Sequence, residues 1–341
     1  MLHFNSDYME GAHPAVMQRL LETNMEQSPG YGCDIHTKNA ERLILDLCGL
    51  DSGKVYFLVG GTQTNATVID GLLARHQGVL AAETAHINVH EAGAIEASGH
   101  KVITLPQHDG KVDATDVKRF LDSFFNDETR EHMVAPGMLY ISHPTETGTL
   151  YSLSELKQLH EICTQAGIPL YMDGARLSYG LVADGTDVTL KDIAQTCDLF
   201  YIGGTKTGTL FGEALVVRHP GMLPHFTTLI KQHGALLAKG RLLGLQFETL
   251  FYDNLYMKIA KHAVNMAMKL KHAFIEKGYA TYVDSSTNQQ FFILPNEKID
   301  ELGKFATFEL WGPKQEKETP VRFVTSWATK ESDVDMLISK L

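Results

Sequence analysis

Three short stretches combine reactive residue types with positions where a sheet would present them. Gly60-Gly61-Thr62-Gln63-Thr64-Asn65 follows the apolar run Val55 to Val59 and opens a segment of helical spacing. Such a start exposes unpaired backbone N–H groups and the positive end of a helix dipole, which suits a phosphate. It is neither a P-loop, since no Gly-Lys-Ser or Gly-Lys-Thr follows, nor the three-glycine dinucleotide fingerprint. Tyr171-Met172-Asp173-Gly174-Ala175-Arg176 places an acid at the carboxyl end of another apolar run, where open α/β sheets put their ligands. That aspartate can hold a proton on a ring nitrogen or cap a helix. Tyr201-Ile202-Gly203-Gly204-Thr205-Lys206-Thr207-Gly208 puts a lysine in a Gly and Thr loop after the next apolar run. Desolvation there lowers a lysine pKa and lets the amine form a Schiff base with a carbonyl. Each motif alone has an ordinary alternative: a turn, a helix cap, a solvated lysine.

The combination meets the needs of pyridoxal 5'-phosphate (PLP): a phosphate anchor, a pyridine-nitrogen partner, and a Schiff-base amine 33 residues after the aspartate. At this point the sequence resembles the fold type I PLP enzymes, and more narrowly the low-specificity L-threonine aldolase and β-eliminating lyase group. The resemblance is carried by Asn5-Ser6-Asp7, Tyr31-Gly32, Gly61-Thr62-Gln63 with Asn65, Ala85-His86 followed by Glu91-Ala92-Gly93, Asp173-Gly174-Ala175-Arg176, Thr205-Lys206 and Val321-Arg322-Phe323-Val324-Thr325. It implies an aspartate aminotransferase-like α/β fold: a mostly parallel seven-stranded sheet with helices on both faces, plus a smaller C-terminal α/β domain. It implies Lys206 as the Schiff-base lysine, Asp173 on the pyridine nitrogen, and His86 against the ring face. Gly61, Thr62, the backbone around Gln63 and the Thr205 hydroxyl would take the phosphate. Ser6, Arg176 and Arg322 would surround the substrate carboxylate, with Tyr31 and Arg176 also assigned to the site.

The activity so implied is cleavage of L-threonine, L-allo-threonine or a related β-hydroxy-α-amino acid to glycine and an aldehyde; β-elimination or transamination on the same scaffold is the alternative. His86, or a water held by it, would take the β-hydroxyl proton. Where the family usually reads Asn-Thr-His-Asn-Gly, this chain reads Pro144-Thr145-Glu146-Thr147-Gly148, so Glu146 is a second acid or base candidate if burial raises its pKa. Lys231, Lys239 or Arg241 could bring a cation to the phosphate across a dimer interface. The resemblance implies a homodimer or homotetramer with active sites near that interface.

The elements that must position these residues follow from hydrophobic spacing. Strands are expected at Val55 to Val59, Val79 to Ala82, Lys101 to Leu105, Gly137 to Ser142, Pro169 to Asp173, Leu199 to Ile202 and Ala214 to Arg218. Helices are expected at Asn39 to Cys48, Thr64 to Arg75, Thr115 to Phe125 and Ser154 to Ala166, the last with Ser154 as a cap. A long helical tract from Gly240 to Glu276 then leads to strands at Phe291 to Leu294 and Val321 to Thr325 and a terminal helix from Glu331. Pro313 to Pro320 reads as a solvated loop. These patterns divide the chain into a large cofactor domain, 1–240, and a small domain, 241–341.

Composition bounds the partners. The chain has 341 residues, 44% of them hydrophobic, enough for a sizeable core in about two domains. With 30 Lys and Arg against 41 Asp and Glu, the formal charge of −11 gives no general attraction to nucleic acid or an anionic membrane, so a small anion needs a local device. No leader pattern and no membrane-length apolar run is present, and a cytoplasmic protein is expected. Four widely spaced cysteines and 16 histidines show no metal-ligand spacing, so no metal is expected.

Overall fold

Apolar runs alternating with amphipathic segments produce two sheets and one short strand pair. The computed structural model describes residues 1–341. In chain order the strands are β1 (Leu2–His3), β2 (Lys54–Leu58), β3 (Gln77–Ala82), β4 (Val102–Leu105), β5 (Ala135–Ser142), β6 (Leu170–Asp173), β7 (Leu199–Gly203) and β8 (Glu213–Val217). They continue with β9 (Ala280–Val283), β10 (Gln289–Pro295), β11 (Ala306–Thr307), β12 (Glu309–Leu310) and β13 (Glu318–Val324). All seven strands expected in the first 220 residues form one sheet, in the order β2-β8-β7-β6-β5-β3-β4. Its pairs are parallel except those of β8, which runs antiparallel to both β2 and β7. β6, β7 and β8 are buried at every position, so both faces of the sheet centre are covered, as a mostly parallel sheet requires.

Strand register sets the site. Tyr171 pairs with Leu199 and Met172 with Phe200, so Asp173 at the end of β6 lies beside the loop that leaves β7 and carries Lys206. The helix Gly61–Leu72 starts where β2 ends, with Gly60 as an extended N-cap that supplies no side chain.

Two local expectations are corrected. Ser152, not Ser154, caps Leu153–Ala166: its hydroxyl accepts from the Glu155 N–H at 3.2 Å while the Glu155 carboxylate accepts from the Ser152 N–H at 2.7 Å. The Ser-x-x-Glu capping box satisfies two helix-start donors at once, and Ser154 falls inside the first turn. The tract from Gly240 to Glu276 is two helices, Arg241–Phe251 and Leu255–Glu276, parted at Asp253 and Asn254, whose φ angles are 53° and 56°. Apolar spacing continues through the break and hides it, but Asp and Asn are residue types that tolerate a left-handed backbone.

The smaller sheet, β12-β13-β10-β9, is antiparallel throughout, and β1 pairs in parallel with β11. Glu318 to Pro320 belong to β13 instead of a solvated loop, because Thr319 is fully buried and its hydroxyl donates to Asn296 Oδ1 at 2.8 Å. Hydrophobic packing does not divide at residue 240. Phe247, Leu250, Phe251 and Tyr256 lie in the large core, while Met266, Leu270 and Phe274 join Phe4, Phe292 and Phe323 in a second. The helix Leu255–Glu276 therefore spans both cores, and the N-terminal segment closes the small one.

Candidate active site

A cavity of about 610 Å³ opens at the carboxyl ends of β5, β6 and β7. Of the residues expected to do chemistry, Gly61, Thr62, His86, Glu146, Asp173, Arg176, Thr205, Lys206 and Arg322 all line it. On one side, the backbone N–H groups of Gly61, Thr62 and Gln63 at the uncapped start of Gly61–Leu72 have no partner in the chain. The Gln63 side chain does not reach the cavity. Its Oε1 turns back to accept from the Val59 N–H at 3.1 Å and fixes the strand-to-helix turn.

Asp173 is buried at the cavity floor, and four donors converge on it. Tyr140 Oη and Asn65 Nδ2 donate to Oδ2 at 2.7 and 3.0 Å, while Tyr201 Oη and the Ala175 N–H donate to Oδ1 at 2.6 and 2.9 Å. Burial alone would raise its pKa, but the neighbouring His86 charge and the bonds from Tyr140, Tyr201 and Asn65 carry it below the ordinary value. The carboxylate is thus kept anionic in a dry wall. Lys206 is shifted the other way: burial and the Arg176 guanidinium lower its pKa against the pull of Asp7, Asp173 and Glu213. Its loop is held by the Tyr179 hydroxyl, which donates to the Lys206 carbonyl at 2.6 Å, and by Tyr256 Oη, which donates to the Gly203 carbonyl at 2.9 Å.

His86 begins the short helix His86–Val89, and its Nδ1 meets Glu91 Oε1 at 2.7 Å. Asn65 Nδ2 also donates to that Glu91 oxygen, at 2.8 Å, so one amide links the carboxylates of Glu91 and Asp173. Burial by itself would lower the His86 pKa; the Glu91 hydrogen bond and the Asp173 charge outweigh it and raise the value. Glu146 Oε1 accepts from Ser142 Oγ at 2.6 Å and from the His86 N–H at 3.0 Å. Burial raises the Glu146 pKa despite these bonds, and Asp173 adds to the rise.

Arg176 forms a two-pronged ion pair with Asp7, Nε to Oδ2 at 2.7 Å and Nη2 to Oδ1 at 2.9 Å, and Asn288 Nδ2 donates to Oδ2 at 2.9 Å. Asp7 is fully buried; the Arg176 and Lys206 charges overcome the burial penalty and lower its pKa. Asp7→Asn should cost about 3–5 kcal/mol in stability, because it strands a buried guanidinium, and urea unfolding checks this. Arg322 Nη1 donates to Gln289 Oε1 at 2.9 Å, Nη2 pairs with Glu309, and the guanidinium lies 5.2 Å from the Trp311 ring centre. Its Nε is buried and has no partner.

Besides Gln63, two expected residues lie outside the cavity wall. Ser6 Oγ accepts from the Tyr8 N–H at 3.4 Å, an ordinary turn contact, and it is Tyr8 that lines the site, with Lys206 Nζ 6.0 Å from its ring. Tyr31 is exposed, has a φ of 57°, and places its ring 4.8 Å from Lys231 Nζ. Sequence reasoning also missed members of the wall: Tyr201, Glu213, Glu309 and Trp311. Glu213 opens β8, and its Oε1 accepts from the Thr205 hydroxyl at 2.8 Å while Oε2 accepts from the Gly204 N–H at 3.0 Å. A lone acid before Ala-Leu-Val-Val reads as a strand boundary, so no pattern marked it.

These residues fit pyridoxal phosphate. Unpartnered N–H groups at Gly61 to Gln63 match the phosphate, the anionic Asp173 matches a ring N–H, and the depressed Lys206 amine matches the aldehyde carbon. The Arg322 guanidinium in the cavity wall matches a substrate carboxylate by charge.

Comparison with known proteins identifies the family and the fold. Residues 3–296 match the model of the β-eliminating lyase family. A threonine aldolase structure from Leishmania major superposes with a TM-score of 0.96 at 41% identity, covering 99% of this chain and 98% of that one. A low-specificity L-threonine aldolase of Pseudomonas aeruginosa is 27% identical over 333 residues, 96% of this chain and 93% of its own. Aspartate aminotransferase from Thermus thermophilus, at 12% identity and a TM-score of 0.71 over 100% of this chain and 90% of its own, shares the fold type I architecture. With the matched region spanning both the uncapped helix start at Gly61 and the lysine loop, the chain belongs to the β-eliminating lyase family.

Proposed function

We propose that the protein is a PLP-dependent aldehyde-lyase that cleaves L-threonine, L-allo-threonine or a related β-hydroxy-α-amino acid to glycine and an aldehyde. The observation that carries this reading is the placement of Lys206, Asp173, His86 and Arg322 around one cavity in a chain of this family. When bound, the cofactor supplies a protonated ring that draws off the electron pair of the breaking Cα–Cβ bond. Incubation with L-threonine should release glycine and acetaldehyde in equal amounts; pyruvate with ammonia, or a keto acid, would contradict the reading.

The residues divide the work by position. Asp173 would hold the ring N–H, the Gly61 to Gln63 N–H groups would take the phosphate, and Lys206 would provide the covalent tether, while the Thr205 hydroxyl, turned to Glu213, holds the lysine loop. Arg322 would set its guanidinium charge toward the substrate carboxylate, and Arg176, braced by Asp7, would add positive charge to the same cavity. Two cations in one wall would fix the orientation of the amino acid in the cavity. Arg322→Ala should raise KM by about 10- to 100-fold with a smaller change in kcat, the effect of losing a charge-assisted hydrogen bond in binding. Equal KM values for variant and wild type would remove Arg322 from this role.

His86 Nε2 makes no hydrogen bond within the chain, while Nδ1 is engaged by Glu91, so Nε2 takes the β-hydroxyl proton. Glu146, whose pKa burial raises, lines the same cavity and is placed to hydrogen-bond the departing aldehyde oxygen. The pH dependence follows from the direction of the His86 shift. The neutral imidazole forms only above a raised pKa, so kcat/KM should fall as pH drops through a value above that of ordinary histidine. Glu91→Gln removes the interaction that raises it and should move this limb to lower pH; an unmoved limb would rule out His86 as the base.

We further assign a homo-oligomer and a cytoplasmic location. Leu21, Met25, Tyr31 and Ile35 in the first 35 residues are all exposed, apolar side chains that a second copy would cover. Tyr31 with Lys231, both outside this chain's own cavity, are then available to a partner's. Light scattering that gives the monomer mass would contradict the assignment. No helix is long and apolar enough to cross a membrane.

A further inference from the structure

Glu213 is the buried acid that the chemistry above leaves without a task. It is 4% exposed and lies in the cavity wall together with Gly61, Thr62, Thr205 and Lys206. Its two oxygens accept from the Gly204 N–H and the Thr205 hydroxyl, so it clasps the start of the lysine loop. Thr205 Oγ1 in turn accepts from the Gly212 N–H at 3.1 Å, which commits the hydroxyl proton to Glu213. An ionised carboxylate here sets a full negative charge in the wall that also holds the phosphate-binding N–H groups, and like charges in a dry wall repel strongly.

The groups facing Glu213 do not relieve this repulsion. Asp173 on β6 is kept anionic. Tyr171 on β6, Tyr201 on β7 and Tyr256 on Leu255–Glu276 are pushed by burial well above neutrality and stay uncharged. Lys206 is a cation weakened by burial. Burial raises Glu213 itself to about 7, against the Thr205 and Gly204 hydrogen bonds and the Lys206 charge.

We propose that Glu213 binds a proton when the phosphorylated cofactor enters the cavity, and that the neutral carboxyl then holds the lysine loop without opposing the phosphate. One proton passes from solvent to a Glu213 oxygen, and no other bond forms or breaks. Glu213 is thus a positioning residue whose protonation couples cofactor affinity to pH. The proposal rests on the cofactor assignment above.

The probe is 4′-deoxypyridoxine 5′-phosphate, which carries the ring and phosphate but no aldehyde for Lys206 to attack. Calorimetric titration of the full chain freed of cofactor, in two buffers of different ionisation enthalpy, counts protons taken up on binding at about pH 8. Wild type should take up about one proton more than Glu213→Gln, and with rising pH its affinity should fall by about tenfold per unit more than the variant's. Equal proton counts overturn the proposal. Infrared difference spectra of wild type with and without the probe give a readout independent of how the variant folds. They should gain the carbonyl band of a newly protonated carboxyl, and a spectrum without that band overturns the proposal. Wild type that binds the probe without proton uptake overturns this proposal alone, whereas wild type that does not bind it overturns the cofactor assignment as well.

Discussion

Lys206→Ala should abolish glycine release, with kcat lowered on the order of 10⁴- to 10⁶-fold, the range seen when an enzyme loses a covalent nucleophile. Two features make the effect this large. The amine is the only lysine in the cavity wall, and burial beside Arg176 lowers its pKa so that the nucleophilic neutral form is accessible. Alanine leaves the loop intact, since the Tyr179, Tyr256 and Glu213 contacts go to backbone atoms or to Thr205. The variant should therefore fold, take up pyridoxal phosphate without a covalent link, and lose the cofactor on dialysis. Stopped assays for glycine and absorption spectra of the dialysed protein check both parts, and turnover within tenfold of wild type would remove Lys206 from its role.

Asp173→Asn should lower kcat by about 10²- to 10⁴-fold and weaken cofactor retention while nearly preserving side-chain volume. The charge is what matters. Four donors converge on the carboxylate, and together with His86 they keep it ionised in spite of burial. An amide in the same place offers an N–H₂ group to donors, leaves at least one of them unmatched at about 1–3 kcal/mol, and cannot hold a ring proton by charge. Equilibrium dialysis against the cofactor separates the binding loss from the rate loss. An Asp173→Asn enzyme with wild-type kcat would show that ring protonation does not depend on this residue.

Much of the site was legible because its key residues stand at the ends of apolar runs. Asp173 and Lys206 follow two runs that become adjacent strands, and register then brings them together. The uncapped helix start was legible from Gly60-Gly61, because glycine supplies no capping side chain. What stayed hidden depends on contacts between distant segments. Nothing in the order of residues announces that Asp7 pairs with Arg176 or that Asn65 bridges Glu91 and Asp173. Glu213 and Trp311 reach the cavity only through the antiparallel β8 and the small sheet. The helix break at Asp253 and Asn254 escaped because helical apolar spacing persists on both sides, and the capping box at Ser152 escaped because a second serine follows two residues later.

Lyase chemistry in this cavity requires pyridoxal phosphate bound through Lys206. Borohydride reduction of the purified full chain, followed by proteolysis and mass mapping, tests it most directly. Reduction should shift the visible absorption band and fix one pyridoxyl group per chain, on the peptide that contains Lys206. A protein that takes up no cofactor, or one whose label maps to another lysine such as Lys231 or Lys239, would contradict it.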